Sequence, residues 1–327
     1  MQYNVENLFD PYHEPGKLDE DFTPEGKEHW TLESLDQKLE NLGQVIRSVV
    51  NPDGSHCPDI LVMEEVENPW VAKRLKDGAL ESCQYKKIIV DKTSPDMRGI
   101  RVAIMTRLEQ AGTPVSHIVY NGGRTIQETP LQIDGHRMIV FANHWKSRLT
   151  RPPDTDGGIA KRALSAKLVR KRLDEILEAN SKEDVLVVGD LNDEPEDDSI
   201  AKIVGASSSI DDPNALLWEP SSELLKLPRL QDLEETDRDP AFKALRGTFL
   251  YRKQYFQLDH ILLSKGLFDE EGFSYQPGSY QVIRFPKFID PRTHGPLTFK
   301  NMIDADGNDR GPKGASDHFP IMLRLNY

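Results

Sequence analysis

Six short apolar segments, scattered from one end of the chain to the other, each carry or run straight into carboxylate, amide or imidazole side chains. The clearest is "DVLVVGDLND": residues 185–188 read as a fully apolar, buried strand, and Asp190, Asn192 and Asp193 follow it at once. Asn4 lies in a first strand marked by Val5, Leu8 and Phe9, and Glu64 and Glu65 end "DILVMEEVEN". Asn143 and His144 follow "MIVFA", Asp259 and His260 sit inside "FQLDHILLS", and Asp317 and His318 open the closing "FPIMLRLNY" strand. Singly, such residues are ordinary caps and turns, which Asp and Asn favour. A carboxylate inside a strand, as at Asp259, is harder to explain that way, because burial without a partner is costly. Ligand sites in open α/β sheets gather at strand carboxyl ends, so the six together point to one shared site.

The intervening sequence supplies the scaffold. Leu35, Leu39, Leu42, Val45, Ile46 and Val49 fall on one helical face, closed by Pro52. A short helix runs through Trp70 and Leu75, and "YKKIIVD" with "IRVAIMT" predicts a strand pair. "TPLQIDGHRMIVFANHW" predicts a hairpin turning at Asp134 and Gly135, and "GTFLYRKQYFQLDHILLS" a second hairpin. Residues 158–179 read as a helix burying Leu164, Leu168, Leu173 and Leu177, with Lys161, Arg162, Lys167, Arg170, Lys171 and Arg172 facing solvent. Residues 207–239 read as loop-rich. With no repeat and no shift of composition, the expectation is one α/β domain over residues 1–327.

Composition narrows the function. At 37% hydrophobic and 29% charged the chain reads as soluble and globular, and no apolar run nears the ~20 residues of a membrane-spanning helix, so no stable membrane insertion is expected. Its net charge of −13 is the wrong sign for gripping a polyanion by bulk attraction. A phosphate-bearing substrate must therefore be met by local basic groups or bound cations. Cys57 and Cys83 read as two free thiols in a cytosolic protein, or as one disulfide in an exported one. The chain opens inside a strand, which suggests a removed leader and leaves a periplasmic or extracellular location open beside a cytoplasmic one. A monomer is expected.

Glu, Asp and Asn clusters suit a hard cation such as Mg²⁺, with Mn²⁺ or Ca²⁺ able to substitute. Two cysteines far apart argue against a thiolate zinc site. Histidines supply hydrogen bonds to an anionic transition state and can be held by carboxylates, so the set fits hydrolysis of a phosphate ester by metal-activated or base-activated water. No G-x-S-x-G elbow, P-loop or dinucleotide fingerprint is present. In "HWKSRLTR", Lys146, Arg148 and Arg151 with Trp145 could grip phosphates and stack a base, or form a plain solvated loop. Arg98 and Arg101 brace either the site or a loop. "DADGNDRG" starts like a calcium loop but lacks the sixth-position Gly and twelfth-position Glu, and reads as a surface turn.

"YNVENLFD", "LVMEEVEN", "ANHWKSR", "VVGDLND", "LDHILLS" and "SDHFPI", in that order, resemble the endonuclease/exonuclease/phosphatase superfamily, the group of pancreatic deoxyribonuclease and the abasic-site endonucleases, and most of all its bacterial members. The resemblance implies an α/β fold, a four-layer sandwich of two mostly antiparallel β-sheets flanked by helices. It implies Glu65 as principal Mg²⁺ ligand, with Asn4 supporting metal and phosphate and Asp317 beside the metal. Asp190 would position or deprotonate the attacking water, and Asn192 would hold a phosphate oxygen. His318, oriented by Asp259, and His144 would contact the scissile phosphate. Glu6 stands where abasic endonucleases carry Asp, and its longer arm is read as a further metal ligand. The expected activity is Mg²⁺-dependent phosphodiester hydrolysis, foremost of nucleic acid. A phosphatase or phosphodiesterase on inositol phosphates, phospholipids or other small esters is the alternative, and a non-catalytic binding module the third reading.

Overall fold

The computed structural model describes residues 1–149, 155–224, 227, 246–269, 271–304 and 306–327. In chain order the elements are β1 (Gln2–Leu8), α1 (Leu32–Arg47), β2 (Ile60–Val66), α2 (Pro69–Asp77), β3 (Lys87–Val90), β4 (Arg101–Thr106), β5 (Glu109–Gln110), β6 (Val115–Ile118), β7 (Thr125–Ile133) and β8 (His136–His144). Then follow α3 (Ile159–Ala179), β9 (Val185–Asp190), β10 (Ala206–Ser207), β11 (Leu217–Trp218), β12 (Phe249–Tyr251), β13 (Gln254–Phe256), β14 (Asp259–Ser264), β15 (Ser274–Tyr275), β16 (Gln281–Val282), β17 (Ile321–Met322) and β18 (Leu325–Asn326). One sheet has the order β16-β17-β1-β2-β4-β3; the other runs β10-β11-β14-β9-β8-β7-β5, with β6 also on β7. Pairing is antiparallel except at β1–β2, β8–β9 and β10–β11.

Side-chain alternation along the strands decides the layers. In β9, Val185 and Val187 pack with Ala166, Val169 and Leu173 of α3. Leu186 and Val188 point the other way, onto Val62, Val102 and Ile104 of the facing sheet. In β1 and β2, Tyr3, Val5, Leu61 and Met63 pack with Leu35, Leu39, Leu42 and Ile46 of α1 and with Val71 and Leu75 of α2. The result is helices, sheet, sheet, helix, the expected four-layer α/β sandwich. Strands such as β9, apolar on both faces, are those with cover on both sides.

Local chemistry sets the boundaries. The Thr31 hydroxyl accepts the Ser34 N–H at the start of α1, and the Asn68 amide oxygen accepts those of Trp70 and Val71 at the start of α2. Asp134 and Gly135 both adopt positive φ, as a two-residue hairpin turn requires. Several expectations are corrected. α1 ends at Arg47, so Val49 is buried but beyond it. The Asp259 strand does not pair within the second hairpin: β12 and β13 pair with each other, while β14 lies against β9. The closing strand is split, β17 on β1 and β18 on β15. On α3, Leu164 is 45% exposed whereas Arg162 is 2% exposed. Cys57 and Cys83 form a disulfide, Cα atoms 5.6 Å apart, not two free thiols.

Candidate active site

The alternation that layers the sandwich also aims the polar side chains. Gln2 and Asn4 alternate with the outward Tyr3 and Val5, and Glu64 follows Val62 at the inward parity of β2. His144 continues Val140 and Ala142, Asp190 continues Leu186 and Val188, and Asp259 precedes Ile261 and Leu263, all inward positions. Register brings them level: Asn4 opposite Glu64, His144 opposite Asp190, and Asp259 opposite Asp190. Five strand ends, of β1, β2, β8, β9 and β14, thus fill one end of the space between the sheets with polar groups.

Two backbone devices complete the placement. β1 bulges against β2 between Asn4 and Leu8, where Glu6 and Asn7 turn left-handed, as does Glu65 opposite them. The bulge presents the Asn7 N–H to Glu65 Oε2 at 2.8 Å. In the Gly-Asp-Leu-Asn-Asp run, Gly189 lies so close to β8 that a Cβ there would meet the Asn143 carbonyl at 1.9 Å. Asn192 is also left-handed, and such non-glycine strain concentrates at functional sites.

Asp190 is the hub. It accepts hydrogen bonds from Asn4 Nδ2 and the Asn192 N–H, each at 3.0 Å. His144 Nε2 lies 3.5 Å and His318 Nε2 3.9 Å from its Oδ2. Burial, opposed by His318 and reinforced by Asp259, raises its carboxyl to about 6. His144 Nε2 is also 3.9 Å from Glu65 Oε1, which ties Glu65 to the same cleft. His318 Nδ1 bonds Asp259 Oδ2 at 2.7 Å. Burial works against charge on His318, but Asp259, with Asp317 and Asp190, outweighs it and holds the imidazolium well above the usual histidine range. His144 goes the other way: burial, then the positive charges of Arg124, His318 and Arg98, hold it neutral.

A family model described as "Endonuclease/Exonuclease/phosphatase family" matches residues 1–327, the full length on which these residues converge. The chain belongs to the endonuclease/exonuclease/phosphatase family. Members of this family hydrolyse phosphate esters, and the chain is a hydrolase of that class. Solved structures share its fold at low identity. A mannosyl-6-phosphatase of Bacteroides thetaiotaomicron is 16% identical, covering 89% of this chain and 91% of its own, with a TM-score of 0.53. Humanized TDP2 of D. rerio is 15% identical over 100% and 97%, with a TM-score of 0.55. Truncated TDP2 of Caenorhabditis elegans is 16% identical over 89% and 90%, with a TM-score of 0.51. A comparison with curated proteins gave no match.

Within this family fold, the cleft brings together Asn4, Glu65, His144, Asp190, Asn192, Asp259 and His318. Asp317 lies beside them, half-buried, near Glu65, Lys38 and Asp190; burial and those carboxylates raise its pKa. Glu6 gives both carboxylate oxygens to the 298–299 loop, one to the Thr298 hydroxyl and one to the Phe299 N–H at 3.1 Å. Burial and Asp317 raise it to about 7. Two expectations fail on geometry. Trp145 cannot stack a base: it is 1% exposed, packed in the α3-side core, with Nε1 on Asn143 Oδ1 at 3.0 Å. Arg162 is no solvent-face residue. Its guanidinium bonds the Lys146 and Gly157 carbonyls at 3.1 and 2.7 Å and sits 2.7 Å from Asp193 Oδ1. Arg148 pairs with Asp197 at 3.5 Å and lies 5.9 Å over the Phe256 ring. Lys146 is half-buried beside the cleft, and Arg151 falls outside the described residues.

The sequence reading missed several contributors. Gln2 Nε2 bridges Glu64 and Asp259 at 2.8 and 2.6 Å. Burial, then Asp259 and Asp190, push Glu64 well above the carboxylate range. Phe249 packs on His318, ring centroids 4.7 Å apart, and shares a face of the β12–β13 hairpin with its partner Phe256. Hydrophobic alternation in "FLYRKQYF" was visible, but nothing local said that its aromatic face meets a histidine near the far terminus.

Proposed function

We propose that the chain is a Mg²⁺-dependent nuclease, hydrolysing phosphodiester bonds by in-line attack of water. The observation that carries this is the convergence of Asn4, Glu65, His144, Asp190 and the Asp259–His318 pair in one buried cleft. Charge supports a cation there. The inward acids outnumber their partners, and Asp317 has no hydrogen-bond partner among the described residues. The donors are oxygen atoms, which suits a hard divalent ion rather than a soft one. Glu65 and Asp317 would hold it, with Asn4 and Asp190 alongside. When bound, the cation would polarise the phosphoryl oxygens and offset their charge.

The residues' own work follows from their states. Asp190, fixed by Asn4 and Asn192 and raised by burial to about 6, orients the water and takes its proton. His318, kept positive by Asp259, stabilises charge growing on the phosphoryl oxygens. His144, neutral with Nε2 turned to the cleft, donates a hydrogen bond there without adding charge. Nucleic acid is favoured over a small ester because half-exposed Phe249 and Phe256, on the His318 side, offer the stacking surface that Trp145 does not.

The test is a panel of single- and double-stranded DNA, RNA, inositol phosphates and bis(4-nitrophenyl) phosphate, with Mg²⁺ or chelator, beside Asp190→Asn. Cleavage of nucleic acid that stops with chelator and falls at least about 10³-fold in Asp190→Asn is expected. Release of inorganic phosphate from monoesters alone would favour a phosphatase, and no hydrolysis at all a binding role.

A further inference from the structure

The −13 charge of the chain opposes a polyanion unless positive groups are concentrated where it binds. Such a concentration stands beside His144. Arg98, half-buried, donates Nη2 to Asn7 Oδ1, the residue whose N–H holds Glu65, and lies 6.0 Å over the Phe9 ring. Arg124, its side chain 14% exposed, donates Nη1 to the carbonyl of Trp145, the residue after His144, at 2.8 Å. Its Nε is buried without a hydrogen bond, 3.7 Å from Asp96 Oδ2. Lys17 Nζ donates to the Asp96 carbonyl at 2.9 Å.

Lys17 and Arg124 therefore converge on Asp96, one on its backbone carbonyl and the other near its carboxylate, which also caps the backbone N–H groups of Arg98 and Ile100 at 2.9 and 3.4 Å. The neighbouring acids are engaged elsewhere: Glu14 lies 3.6 Å from Arg101, and Asp91 takes the hydroxyls of Thr93 and Thr125. Positive charge is left over. Each guanidinium has five N–H donors, and here each spends one side-chain donor on holding its own position. A fixed guanidinium with donors to spare is suited to a planar fork of oxyanion oxygens.

We propose that Arg98 and Arg124, aided by Lys17, form a subsite on the His144 side of the cleft for a second phosphate, flanking the one hydrolysed. With Phe249 packed on His318, the cleft then has an aromatic side and a basic side, so the substrate is a chain of phosphodiesters rather than an isolated ester. This rests on the nuclease reading and adds to it the requirement for a neighbouring phosphate.

The experiment compares the dinucleotide TpT with the same dinucleotide carrying an extra phosphate at its 5′ end (pTpT) or 3′ end (TpTp). One of the two phosphorylated forms is expected to exceed TpT in kcat/KM by about tenfold or more, the scale of one charge-assisted hydrogen bond. Arg98→Gln and Arg124→Gln should each shrink that ratio and the double variant bring it to about one, whatever the absolute rates. Arg98→Lys and Arg124→Lys, which keep the charge, should retain part of it. On longer DNA, each glutamine substitution should also reduce the slope of log affinity against log salt by about one. Cleavage of all three dinucleotides at one rate, or an unchanged ratio in the double variant, overturns the subsite and leaves the nuclease reading intact. Hydrolysis of bis(4-nitrophenyl) phosphate with none of the dinucleotides cleaved overturns both.

Discussion

Two histidines in one cleft are held in opposite charge states by what surrounds them. His318 has a carboxylate at 2.7 Å; His144 has burial and two arginines. His318→Ala is expected to lower kcat by about 10²–10⁴ with a much smaller change in KM, since its charge acts on charge formed in the transition state; equal losses in both would contradict that role. Asp190 must be ionised to take a proton, so kcat/KM should fall as pH drops through about 6. His318 must be protonated, so the alkaline limb should lie well above the ordinary histidine range. Asp259→Asn removes the charge that raises it, and the alkaline limb should move to lower pH; a limb that stays put would mean another group titrates there. The identities of Asp190, His318 and Glu65 were legible because phosphate chemistry needs those residue types. Their charge states were not, being set by neighbours up to hundreds of positions away, such as Gln2 on Asp259.

The acids at the end of β9 and just beyond it divide their work. Asp190 faces the cleft, while Asp193 faces Arg162 of α3 and accepts the Ser199 hydroxyl at 2.6 Å. Arg162 in turn ties the Lys146 carbonyl, two residues past His144, to the Asp193 loop, and Asn192 Nδ2 reaches the Trp145 carbonyl at 3.2 Å. The two loops that carry His144 and Asn192 are thus clamped by one buried ion pair. Breaking such a pair costs about 3–5 kcal/mol because it strands a charge. Arg162→Met should destabilise the fold on that scale and lower kcat, and Arg162→Met with Asp193→Asn should recover much of the stability, as thermal unfolding would register. A double variant no more stable than the single would argue against the pair. Strands, hairpin turns and α1 could be read from period and turn residues alone. The inward turn of Arg162 could not, because a helix of weak amphipathicity such as α3 leaves its buried face to tertiary partners, and Leu164 was misassigned for the same reason.

At the scale of the molecule, the one disulfide among the described residues stands at the end of the sandwich away from the cleft. Cys57, bonded to Cys83, lies just before the start of β2, whereas Glu65 lies toward the strand's far end. Closing a loop of 26 residues should contribute about 3.5 kcal/mol. Cys57→Ala with Cys83→Ala should lower the Tm accordingly and leave kcat/KM unchanged; a loss of activity in the folded variant would mean that the two ends are coupled. The four-layer order was legible because strands apolar on both faces need cover on both sides. The pairing of the cysteines was not, since spacing alone does not bring two thiols together. What unites the scales is the claim that the inward acids form one divalent-cation site beside the reacting phosphate. Crystals soaked in Mn²⁺ would test it by anomalous scattering. A single strong peak within about 2.2 Å of carboxylate oxygens of Glu65 and Asp317 or Asp190 is expected. A peak elsewhere, for example among His13, Asp19 and Glu20, with none in the cleft, would contradict it.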